Sequence, residues 1–199
     1  PKLDRVEKTS INPFEYKKRK TNKIENIGGL EVPRVIVDLS GFDEIKPSHL
    51  YPYGYVYNVG DDKWTIQDVS VDYLYVGDKS ITFNIPGTLG VIQNRINWEQ
   101  KERHYPIYEF GDNIDETGLC FVEAKTEEII DEEIKLPVNA VLILTTTHLH
   151  GMADHRRVFN KFLSESIKNP ILVRRSYNGL SDDIFQLYAS TDFGSLLID

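Results

Sequence analysis

Three of the chain's five histidines fall within eight residues, in the segment Thr147-His148-Leu149-His150-Gly151-Met152-Ala153-Asp154-His155. Imidazole nitrogens beside a carboxylate are the donors that zinc or iron takes from proteins. His148, His150, Asp154 and His155 are therefore candidate metal ligands. The segment runs into Arg156 and Arg157, which with His155 could offer donors to a phosphate or carboxylate at the start of a helix. A third reading needs no ligand: these are polar residues at a strand–helix junction, with Asp154 in a first turn where the helix dipole favours an anion. A second constellation is Glu123-Ala124-Lys125, with Asp112 or Asp115 upstream. Two acids and a lysine can hold Mg²⁺ and orient a water for hydrolysis. Pairing of Lys125 with Glu127 or Glu128 accounts for the same residues without catalysis.

The histidine segment resembles the HxHxDH metal-binding stretch of metallo-β-lactamase-fold hydrolases, which also follows an apolar strand. His148 and His150 match its first pair, and two extra residues precede Asp154-His155. That resemblance implies a metal-dependent hydrolase. Glu123-Ala124-Lys125 is similar to the second half of the PD-(D/E)xK nuclease pattern, without the Pro-Asp of its first half, and implies Mg²⁺-dependent nuclease chemistry. Other motifs are absent. Gly87-Thr88-Leu89-Gly90 has no following Gly-Lys-Ser/Thr and is not a phosphate loop. Cys120 is the only cysteine, so a disulfide within the chain and a cysteine zinc cluster are excluded, and its apolar neighbours make it a core residue. No cofactor is called for.

The elements that would position these residues are read from periodicity. Tyr51, Tyr53, Tyr55 and Tyr57 recur at every second residue, so four rings are expected on one strand face. Asn58–Asp62 is a turn, Trp64 and Ile66 the next strand, then Val69, Val71, Tyr73 and Tyr75, and after Gly77-Asp78 a strand through Ile81, Phe83 and Ile85. Turns this short imply antiparallel pairing. Residues 88–117 fit neither period. Gly118–Lys125 is a strand, Glu127–Glu133 a short helix or a solvated link, and the apolar run Ala140–Leu144 a strand covered on both faces. Val158, Phe159, Phe162, Leu163 and Ile167 lie at helical spacing, so residues 152–168 form a helix ended by Asn169-Pro170. Ile171–Arg174 is a strand, and Ile184–Ala189 a last strand or short helix. The expected fold is α+β: a mainly antiparallel sheet body with one principal C-terminal helix and an extended N-terminal arm.

Charge divides the 199 residues. Residues 1–24 carry eight basic and three acidic side chains, net +5, and the rest carry 15 and 28, net −13. Residues 1–30 have apolar positions at no steady period, broken by Asn12-Pro13 and Gly28-Gly29. The expected organisation is a basic arm, 1–30, ahead of a single β-rich domain, 31–199. Phe14 and Tyr16 would anchor the arm, and Lys17, Lys18, Arg19 and Lys20 would steer it electrostatically onto other protein subunits. Nucleic acid could attract the same lysines. This organisation is similar to that of small bacteriophage connector, neck and tail-completion proteins, which implies a structural, assembly role in a virion. The N-terminus lacks the apolar core of a signal peptide, and the longest apolar run, Val138–Leu144, is too short for a bilayer of about 30 Å. A cytoplasmic or virion location, with no membrane partner, is the expectation.

Overall fold

The structure, a computed structural model, describes residue 15 and residues 18–115 and 117–197. Phe14, Tyr16 and Lys17 of the expected arm lie outside them. Val32–Tyr108 is one compact unit, and the described residues on either side of it form the other.

In the Val32–Tyr108 unit, strands β1 (Ile36–Asp38), β4 (Tyr73–Tyr75), β5 (Gly90–Asn94) and β6 (His104–Glu109) are neighbours in that order, and every pair is parallel. A parallel neighbour cannot be reached by a tight turn, so each connection is a crossover. Residues 76–89 make one of these without helix, dropping Val76, Ile81 and Leu89 into the core. Ile81, Phe83 and Ile85 alternate like a strand but belong to this crossover. β5 is buried along both faces and so shows no sequence period. The tyrosine ladder is broken too. Tyr51 and Tyr53 lie in a 3₁₀ helix, Pro47–Tyr53, which stops at Gly54 with φ 86 before β2 (Tyr55–Asn58) begins. A Cβ at position 54 would sit 2.6 Å from Ser70 Cα, so glycine is required twice over. β2 pairs antiparallel with β3 (Lys63–Ile66) through the expected Asn58–Asp62 turn.

In the other unit, strand, helix and strand alternate: β7 (Cys120–Lys125), α1 (Thr126–Asp131), β8 (Ala140–Thr145), α2 (Gly151–Ser164), β9 (Ile171–Arg174) and α3 (Asp182–Phe193). β7, β8 and β9 are parallel neighbours, Cys120 facing Ala140 and Leu142 facing Ile171. Cys120 is buried. Ala124, Leu142, Leu144, Val158 and Phe162 join β7 and β8 to the apolar stripe of α2. α2 ends before Asn169-Pro170 is reached. Ser166 takes φ 58, its N–H donates to Leu163 O, and Ile167 N–H donates to Phe162 O. That is a Schellman cap, which closes the last turn locally. The antiparallel, one-helix expectation is thus corrected: the sheets are predominantly parallel, and the C-terminal third carries two sizeable helices.

The chain ahead of Val32 packs on this second unit. Asn22 N–H donates to Lys168 O, and Ile24 and Ile27 bridge each other and are buried.

Candidate functional site

Functional groups of parallel sheets collect where the strands end at their C-termini, and the chemistry-bearing side chains of the second unit gather there. The chain leaves β8 at Thr145, and Thr146 Oγ1 donates to Asp154 Oδ2 at 2.6 Å. The other Asp154 oxygen accepts from Arg157 Nη1 at 3.2 Å. Asp154 therefore closes the first turn of α2 onto the strand it follows. His148 N–H donates to Thr146 Oγ1, and His150 N–H to His148 Nδ1, both at 3.0 Å. His148 is thus spent on shaping its own loop.

Arg175, one residue past β9, ties the loops together. Its Nη1 donates to the carbonyls of Thr146 and His148, both at 2.9 Å, and its Nε to Asp192 Oδ2 of α3 at 3.0 Å. Tyr177 Oη donates to the same Asp192 oxygen at 2.7 Å, and burial with this contact pushes the Tyr177 phenol up to about 12. Gly151, the first residue of α2, is where the guanidinium passes: a Cβ there would lie 2.8 Å from Arg175 Cζ.

His155 lies fully buried in α2, and neither ring nitrogen has a hydrogen-bond partner. Burial first, then the Arg175 charge, pull it down to about 4, against a smaller opposing pull from Asp154 and Asp192. It is a neutral core ring. The four histidine-segment residues are therefore not brought together as a metal site, and among the described residues no group of three or more His, Cys, Asp or Glu is placed to hold one. The anion reading fares no better, since Arg157 is paired to Asp154 and His155 is out of reach.

Glu123 lies on β7 and accepts from Arg174 Nη1 at 3.3 and 3.4 Å, across β8. Lys125 is exposed, and its backbone N–H is capped by Glu128 at 2.6 Å. Asp112 accepts from Glu109 N–H at 2.9 Å. The nuclease-like acids and lysine thus serve separate local bonds. In the basic stretch, Lys18 and Lys20 are exposed. Arg19 turns inward: Nη1 donates to Ile167 O at 3.3 Å and Asn169 O at 3.0 Å, with the guanidinium 5.6 and 5.5 Å from the Phe159 and Phe162 ring centres. Burial lowers it to about 10. Sequence reading missed Thr146, Arg175, Tyr177 and Asp192. Their one signal is position, since Thr146 and Arg175 each follow a strand of the parallel sheet.

Comparison with known proteins finds relatives that are enzymes. The chain is 22% identical to the 4-hydroxy-3-methylbut-2-en-1-yl diphosphate synthase (flavodoxin) of Bacteroides thetaiotaomicron, over all of this chain and 30% of that enzyme. It is 23% identical to the synthase of the same name from Parabacteroides distasonis, over 92% of this chain and 28% of the enzyme. The chain thus spans under a third of the length of the relatives it matches. No family model and no solved structure matches. These relatives overturn the bacteriophage assembly reading, and with it the hydrolase and nuclease alternatives: a virion role has no support. Among the described residues no helix is long and apolar enough to cross a membrane.

Proposed function

We propose that this chain is a segment of a longer enzyme of the 4-hydroxy-3-methylbut-2-en-1-yl diphosphate synthase (flavodoxin) type, and that it serves that enzyme as a folded scaffold. The observation that carries the reading is the alignment itself, which runs the whole length of this chain yet occupies 30% of the relative. The scaffold role draws on the bonds described above. A diphosphate needs cationic donors free to turn toward it, whereas Arg19, Arg157, Arg174 and Arg175 each hold a carbonyl or a carboxylate of the chain itself. Asp154, Asp192 and Glu123 are the carboxylates they hold. Each arginine joins elements distant in sequence or locks a helix turn, as a rigid support for a site requires.

A chimera tests this. The matched segment of the Bacteroides thetaiotaomicron synthase is replaced by this chain, and formation of the diphosphate that names the enzyme is measured with flavodoxin present. Turnover within about tenfold of the parent, a loss of at most about 1.4 kcal/mol in barrier, is expected. A folded chimera without turnover would remove the proposal.

A further inference from the structure

α3 (Asp182–Phe193) has two apolar faces, and only one of them is covered. Ala189, Asp192 and Phe193 turn inward, and Leu196, just beyond, is buried. On the opposite side Leu180, Ile184, Leu187 and Tyr188 follow one another at helical spacing and are 37%, 40%, 57% and 49% exposed. Phe185, 48% exposed, widens the stripe toward Tyr177, whose ring centre is 5.8 Å away. A surface helix ordinarily turns its polar side outward, and a contiguous apolar stripe on the outside marks a contact surface. Asp182 and Asp183 stand exposed in the first turn of this helix, and Asp182–Phe193 contains no Lys or Arg.

We infer that the outward face of α3 is a docking surface for an apolar patch edged with Lys or Arg, carried by the part of the longer enzyme that lies outside this segment. The inference rests on the proposed function. About 70% of the relatives' length is not matched by this chain, and that polypeptide is the source of the cover. Charge argues for the same occupant. A second copy packing α3 against α3 would bring no cation from that helix to Asp182 and Asp183, whereas a basic rim would pair with both and favour the helix dipole's counter-charges over repulsion.

Hydrogen exchange at the α3 amides, followed in the chain alone and in the chimera, tests this. Docking should slow exchange across 182–193 by about tenfold or more in the chimera. The doubly substituted Ile184→Ser/Leu187→Ser chimera should lose that protection, while the same pair in the chain alone leaves its thermal midpoint nearly unchanged. Equal exchange in an active chimera and in the chain alone would overturn the docking surface and leave the functional reading standing. A chimera that neither folds nor turns over would overturn both. Light scattering of the chain alone separates the other occupant: a dimer abolished by Leu187→Ser would assign the face to a second copy instead.

Discussion

At the scale of single residues, the side chains that suggested chemistry are spent on holding the fold. His155 is the sharpest case. Burial keeps its ring neutral, with a pKa of about 4 against 6.5 for an unburied histidine. Between those values the unfolded chain takes up a proton that the folded chain refuses, so unfolding is favoured as pH falls. The stability is intact above pH 6.5 and is lost progressively toward pH 4, by about 2 kcal/mol at pH 4.5. His155→Leu should flatten that part of the stability-versus-pH curve in urea titrations. It should also raise stability at pH 7, because two unpaired ring nitrogens leave the core. An unchanged pH slope in the variant would show that His155 is not the titrating group. Arg175→Met should cost about 2–4 kcal/mol, since two carbonyls lose their donor and the buried Asp192 loses its charge partner. Adding Asp192→Asn should return part of that loss in a double-mutant cycle. The histidine spacing was legible in the sequence, but its meaning was not, because a ligand set and a loop-shaping set differ only in where the side chains point.

At the scale of elements, two glycines report on how tightly the strands and helices meet. A Cβ at Gly151 would press on Arg175 and on Asp192 Oδ2, at 2.8 and 3.0 Å. A Cβ at Gly90 would come within 2.5 Å of the Tyr73 ring across the β4–β5 pair. Gly151→Ala and Gly90→Ala should each lower stability by about 1–3 kcal/mol through forced displacement of packed neighbours, read as a fall in denaturant midpoint. Wild-type midpoints would show that the sites relax at no cost. Most element positions in the C-terminal third were readable: Ala140–Thr145 from its apolar run and α2 from its stripe. The end of α2 was not, because the left-handed Ser166 cap stops the helix before the proline that marked it. Tyr51 to Tyr57 misled for a related reason. A 3₁₀ helix followed by a strand carries the same every-second-residue tyrosines as one long strand.

At the scale of the whole molecule, the basic start of the chain divides in role within a few residues. Arg19 caps the carbonyls that follow α2 while Lys18 and Lys20 face solvent, and Ile24 and Ile27 sit in the core of the unit that holds residues 109–197. Ile24→Ala should therefore cost about 2–4 kcal/mol, and hydrogen exchange in β8 should accelerate in step. If β8 amides are unaffected, the segment is only laid on the surface. The sequence by itself determined the local facts: which stretches are apolar enough to be strands, where α2 carries its stripe, that Asn58–Asp62 turns a hairpin, and that Cys120 is a core residue. Only the tertiary structure decided that neighbouring strands run parallel and which acid each arginine holds. The reason is physical. Alternation, capping and turn chemistry act over a few residues and leave their mark in local spacing. The pairing of Ile36–Asp38 with Tyr73–Tyr75, or of Arg19 with a carbonyl 150 residues away, is set by packing that no local pattern records.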